Sequence, residues 1–256
     1  MKHILSWKTW LVAVFLAASA GIYTLHYLIF HDLHHIFLYM IGDLAFLFID
    51  ILVVILFIEK LLERREKKSR LNKLNMVVGT FFSELGLELL RSFTAFVKNA
   101  DTLKSKAAVG LDWTRAQFDQ ARRATQDFPY EVSAEPARLA SLRSYLESKR
   151  SFMLSLLENP NILDHERFTD LLWAVFHLSE ELSYRPEDMS GLPEMDLRHL
   201  GIDLRRAYSL IASEWVSYTQ HLKESYPFLF SLAVRVNPLG SVPSAVVRTE
   251  AGAALP

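Results

Sequence analysis

Between Thr9 and Phe30 the sequence contains no Asp, Glu, Lys or Arg, and this run narrows the possible folds more than any other feature. It matches the roughly 20 apolar residues that a helix needs to cross the hydrocarbon of a bilayer. Inside lipid the backbone must satisfy its own hydrogen bonds, which favours a helix. A five-residue polar break, His31-Asp32-Leu33-His34-His35, precedes a second run of spanning length, Ile36 to Ile58, despite Asp43 and Asp50 within it. The pattern predicts a transmembrane hairpin with helices over about 9–30 and 36–58.

Lysine and arginine orient such a hairpin. Lys2 and Lys8 precede the first run, while Lys60, Arg64, Arg65, Lys67, Lys68, Arg70 and Lys73 follow the second. The break between the runs has neither, so the positive-inside rule places both termini in the cytoplasm. A competing reading makes the first run an export signal cleaved after Ala18-Ser19-Ala20. The apolar stretch continues about ten residues past Ala20, longer than such a signal requires, which favours a retained anchor.

Beyond Ile58 a helical pattern continues without Gly or Pro, and Glu63 with Lys67 and Glu66 with Arg70 stand at the stabilising i,i+4 spacing. Residues 59–74 are therefore expected to form a basic helical stalk. The basic side chains Lys60, Arg64, Arg65, Lys67, Lys68 and Arg70 suit contact with anionic lipid headgroups, or serve only as a topology signal on a solvated helix.

Residues 75–238 read as a helical bundle. One apolar stripe runs through Leu71, Leu74, Val78, Phe81, Phe82, Leu85 and Leu89, with the small residues Asn75, Gly79, Ser83 and Gly86 alongside for close helix approach. Further stripes pass through Leu139, Leu142, Leu146, Met153 and Leu157; through Phe168, Leu171, Leu172, Val175, Leu178 and Leu182; and from Leu197 through Leu200, Leu204, Ala207, Ile211, Trp215 and Tyr218 to Leu222. Pro129, Pro136, Pro160, Pro186 and Pro193 punctuate them. Residues 102–128 carry a weaker helical pattern. No run shows the alternation of a half-buried strand, so the fold class is all-α, with antiparallel helices joined by short connections. Tyr226 to Arg235 is apolar but too short to span, and would dock on the bundle or dip into the membrane interface. Residues 239–256, rich in Gly, Ser, Pro and Ala, read as a flexible tail.

Charge and composition set limits on function. With 28 basic against 29 acidic residues, nothing favours nucleic acid as a partner. The absence of cysteine excludes disulfides, thiolate metal sites and cysteine nucleophiles. There is no phosphate-binding glycine loop, Gly-x-Ser-x-Gly elbow or His-Glu-x-x-His pair, and no cofactor is indicated.

The strongest functional hint is Asp43 with Asp50, seven residues apart on one face of the second spanning helix. Charged carboxylates at mid-membrane are costly unless paired, protonated or hydrated. In an oligomer they would line a cation or proton pathway; alternatively they bond the first helix through Ser19, Tyr23 or Thr24. His26, His31, His34 and His35 make a histidine-rich corner suited to metal binding or pH sensing, or simply an interfacial turn. In the bundle, His177-x-x-Glu180 and Asp196-x-x-His199 are weak echoes of di-metal motifs, and both histidines project away from the apolar stripes and read as solvated.

Three stretches, Gly42 to Asp50, Leu71 to Gly86 and Tyr226 to Pro238, resemble recurring segments of uncharacterised bacterial membrane proteins with two transmembrane helices. The resemblance implies a bacterial inner-membrane address and no known activity. The leading expectation is a non-enzymatic membrane protein whose bundle binds a protein partner or its own copies, with membrane lipids around the hairpin. An oligomeric cation or proton pathway and a metal-dependent membrane enzyme are the alternatives.

Overall fold

The computed structural model describes residues 2–160, 162, 165–240, 244 and 245, leaving aside the side chains of residues 2–6, 8, 68 and 70. The chain divides into two compact units, residues 1–67 and 68–256.

The first unit holds α1 (Lys2–Phe30) and the first part of α2 (Leu33–Phe81). The turn between them is built by the polar break. His31 takes a left-handed conformation (φ 51°) and its N–H bonds Tyr27 O at 2.9 Å, which ends α1. Asp32 then accepts from the backbone N–H of His35 at 3.1 Å, capping the start of α2. Between Gly42 and Gly79 there is neither Gly nor Pro, and α2 runs unbroken through that stretch. Every described large apolar side chain from Trp7 to Leu62 except Ile36 is exposed, so neither helix has a buried face.

The second unit contains the remainder of α2, a π-helical segment (Phe82–Gly86), α3 (Leu87–Thr94), α4 (Ala100–Ala107), α5 (Arg115–Gln126), α6 (Pro136–Ser148), α7 (Arg150–Leu157), α8 (Glu166–Ser183), α9 (Glu194–Ser225) and α10 (Pro227–Arg235). Among the described residues the only extended pairing is an isolated bridge between Val97 and Val132, so the fold is all-helical. The predicted stripes are the core: Leu74, Val78, Phe81, Phe82, Leu85 and Leu89 are buried, as are all six residues of the α8 stripe. Leu71 is exposed, and Leu157, Leu197 and Tyr218 are only partly buried.

The 32-residue α9 is the central element, packing against α3, α5, α8 and α10. Its partners reveal the directions. Arg185, two residues past the end of α8, meets Asp196, His177 meets Asp203 and Arg167 meets Ser213, so α8 and α9 are antiparallel. Thr94 meets Tyr208 while Phe82 packs on Trp215 and Tyr218, which makes the α2–α3 helix antiparallel to α9 as well. Close approach there needs Gly79, because a Cβ at that position would lie 2.7 Å from the Tyr218 hydroxyl. Gly86 answers a different need: its Cβ would strike the rings of Phe81 and Phe82 at 2.7 and 2.6 Å.

Two expected long helices are broken. The pattern over 102–128 resolves into α4 and α5, interrupted around Gly110. Gln117 there bonds the Thr114 N–H at the start of α5, and Lys223 Nζ donates to the carbonyls of Leu111 and Trp113. The stripe over 139–157 is divided at Lys149 into α6 and α7, and Leu156 is buried where Leu157 is only partly so. The apolar C-terminal segment forms α10, which docks on the bundle through Phe230 and Ala233. It is fastened by Asn237, whose Oδ1 accepts from the Trp215 indole at 2.7 Å and from Leu239 N at 3.0 Å. Leu239, the expected first tail residue, is fully buried; most of the tail beyond it, residues 241–243 and 246–256, lies outside the described residues.

Candidate functional site

In the first unit, Asp43 and Asp50 are exposed on α2 and have no hydrogen-bond or ion-pair partner among the described residues. The bond from the first helix anticipated as one alternative is not made: Thr24 Oγ1 donates instead to Ala20 O of its own helix at 2.8 Å. The histidine corner is only partly assembled. His26 and His35 stack at 5.8 Å, and His31 packs on Tyr27, but His31 and His34 are exposed. Asp32 is occupied by its capping bond. Lys60, Arg64, Arg65 and Lys67 are exposed along α2; the side chains of Lys68 and Arg70 lie outside the described residues.

The second unit brings together residues expected to be solvated. His177 and Glu181 stand one turn apart on α8, and His199 and Asp203 one turn apart on α9. Antiparallel packing sets the two pairs face to face. His177 Nε2 lies 3.6 Å from Asp203 Oδ2 and 3.8 Å from Glu181 Oε1, and His199 Nε2 lies 3.6 Å from Asp203 Oδ2 and 3.6 Å from Glu181 Oε2. None of these separations is short enough for a hydrogen bond.

The two carboxylates differ in environment. Asp203 is 4% exposed and its Oδ2 has no hydrogen-bond partner, while Arg206 Nη1 stands 3.4 Å from the other oxygen. Leaving a buried carboxylate oxygen unanswered is costly. Glu181 is anchored by Arg185, which donates to it at 2.8 Å and forks onto Asp196 at 2.8 and 2.7 Å. These Arg185 hydrogen bonds hold the carboxyls of both Glu181 and Asp196 below their usual range, so both stay ionised at neutral pH. Arg143 completes the surroundings by donating to Arg185 O at 2.8 Å, near the end of α8. Beside His177 opens a cleft of about 450 Å³ lined by Asp170, Trp173, Ala174, Arg206 and Leu210.

Sequence reading paired His177 with Glu180 and Asp196 with His199 at three-residue spacing. The structure instead pairs each histidine with the acid four residues on, Glu181 and Asp203. The repeated spacing, His-x-x-x-Glu and His-x-x-x-Asp, is the signal that was available.

Comparison with known proteins follows the same division into two units. Residues 2–62 match the family model described as MJ1433, N-terminal helical domain, and residues 70–235 match Uncharacterized protein MJ1433, C-terminal helical domain. The chain belongs to the MJ1433 family. It is 41% identical to Uncharacterized protein MJ1433 of Methanocaldococcus jannaschii over 220 residues, which cover 86% of this chain and 88% of that protein. That relative is archaeal, which corrects the expected bacterial family: the family is that of the MJ1433 helical domains, and membership carries no bacterial address. No solved structure matches the chain.

Proposed function

We propose that the chain is an integral membrane protein in which α1 and the first part of α2 cross the bilayer, and the helical bundle is an interaction domain on the cytoplasmic side. The observation that carries this reading is the exposure of apolar side chains around the whole circumference of both helices from Trp7 to Ile58. A water-soluble protein rarely leaves more than a few hundred Å² of contiguous apolar surface uncovered. Both helices also meet the length and hydropathy needed to span. The Lys and Arg distribution supports cytoplasmic termini. Within the bundle the stripes are covered, which suits a domain with its own core joined through α2 to the apolar part.

The test is fractionation of full-length protein with an alkaline wash, combined with reporter fusions at His34 and at residue 240. Retention in the membrane, with the His34 fusion outside and the 240 fusion inside, is expected; release by the wash would defeat the reading. Affinity capture with the bundle in place should recover further copies or a reproducible protein partner.

The unpartnered state of Asp43 and Asp50 favours a second reading, in which copies of the chain assemble so that these acids meet around an axis as a cation or proton pathway. The mass of the protein in nanodiscs tests it. Four or more copies with flux abolished by Asp43→Asn and Asp50→Asn would support a pathway, and a monomer would eliminate it.

A further inference from the structure

We propose that His177, Glu181, His199 and Asp203 form a binding site for one divalent first-row transition cation, bridging α8 and α9. The proposal does not depend on the membrane reading. It starts from the donor set: two imidazoles and two carboxylates suit zinc and its neighbours, and no cysteine is needed.

Geometry supplies the second step. Tetrahedral coordination with bonds of about 2.0–2.1 Å spaces neighbouring donors about 3.3–3.4 Å apart. Both imidazole nitrogens lie 3.6 Å from Asp203 Oδ2, while Glu181 offers each a different oxygen, Oε1 at 3.8 Å from His177 and Oε2, which also accepts from Arg185, at 3.6 Å from His199; all four separations are too long for hydrogen bonds and a few tenths of an ångström wider than that spacing. Among the described residues no group of three or more His, Asp or Glu side chains is arranged to hold a metal ion as it stands, so binding requires these side chains to move. Both histidines are about half exposed and free to do so, at 47% and 51% of their side-chain surface.

An independent observation concerns Asp203. Its Oδ2 is buried, has no hydrogen-bond partner, and faces both imidazole nitrogens. A cation between them would satisfy this oxygen. The supporting residues fit a metal centre too: Arg185 holds Glu181 in place, as outer carboxylate partners commonly hold inner ones, and the cleft beside His177 offers a path from solvent. Glu181, Asp196 and Asp203 against Arg185 and Arg206 leave one net negative charge, which a divalent cation would overturn.

The experiment uses the full-length protein after chelator treatment and dialysis, titrated with Zn²⁺ by calorimetry and with Co²⁺ by visible absorption. One equivalent of Zn²⁺ and an intense tetrahedral Co²⁺ spectrum are expected. In the double variant His177→Ala/His199→Ala that equivalent should weaken by more than about 100-fold, whereas a variant with alanine at 31, 34 and 35 should keep it. Zn²⁺ should also raise the unfolding temperature of the wild type and not of the double variant. Should the alanine variant misfold, His177→Gln and His199→Gln singly carry the same test. Absence of a stoichiometric site in the wild type, or its persistence in the histidine variants, would overturn the proposal.

Discussion

One helix, α2, is apolar over its first 26 residues and again at its end, yet the two stretches are treated in opposite ways. From Leu33 to Ile58 every large apolar side chain but Ile36 is exposed, whereas Leu74, Val78 and Phe81 are buried to the last few per cent. The difference lies in pattern. The first stretch has apolar residues on all sides, which no single neighbour can cover, and only a surrounding apolar solvent or many partners can accommodate it. The later stretch confines them to one stripe, which the bundle covers, with Phe81 packed edge-on against Phe168 of α8. Amount of hydrophobicity alone therefore does not locate the core; its angular distribution does.

Paired substitutions probe this contrast. Phe82 packs on Trp215 at 5.0 Å and Tyr218 at 5.4 Å, and Phe82→Ala is expected to cost the bundle about 3–5 kcal/mol in denaturant unfolding. Phe46→Ala, on the exposed stretch, should leave that unfolding unchanged within about 0.5 kcal/mol. Equal effects would erase the distinction between the two stretches.

Next in size is the latch on α10. Asn237→Ala removes the acceptor for the Trp215 indole and for Leu239 N–H, leaving buried donors unanswered at about 1–3 kcal/mol, and should expose the α10 amides to faster hydrogen exchange. A smaller penalty, about 1 kcal/mol relative to Gly42→Ala, is expected from Gly79→Ala, because its Cβ must push aside the Tyr218 hydroxyl at the tip of a partly buried side chain while both variants share the helix-propensity gain. Gly42→Ala meets nothing within 4 Å and should be tolerated. If both glycine variants melted alike, the close approach of α2 and α9 would be wrong.

The smallest effect is a pH dependence. Burial pushes the Glu214 carboxyl above its usual range, against the pull of His165, Arg167 and Arg122. The folded chain then binds this proton more tightly than the unfolded chain. Its contribution to stability is greatest with Glu214 protonated and declines as pH rises from the unfolded value through the folded one. Glu214→Gln is expected to melt higher than the wild type at neutral pH, with the gap closing as the solution is acidified below the carboxylate range. An unchanged gap across pH would show that Glu214 is not the titrating group.

Much of the bundle was legible because its stripes follow the helical period; the six stripe residues of α8 and most of those of α9 are buried as expected. Local breaks were not. Lys149 interrupts a helix without Gly or Pro, and the break after Ala107 is held by Lys223, which donates to the carbonyls of Leu111 and Trp113, contacts that no short window of sequence contains. His177 and His199 were placed correctly on the polar sides of their helices, but those polar sides face each other across α8 and α9, and packing direction is a property of the pair. Asp203, offset from every apolar stripe, is buried for the same reason.

The π-helical segment from Phe82 to Gly86 sits within one uninterrupted helical path from Leu33 to Thr94. Such a turn is equivalent to an α-helix that has gained a single residue, and it shifts the angular phase of all that follows by about 100°. Excising one residue there would restore regular α-helix and keep Leu89, Leu90 and Phe93 facing the core, because the wide turn already absorbs the extra residue. A one-residue deletion at this point should therefore be far better tolerated than the same deletion between Leu74 and Phe81, where the regular helix has no extra residue to give up and the buried stripe would turn by about 100°.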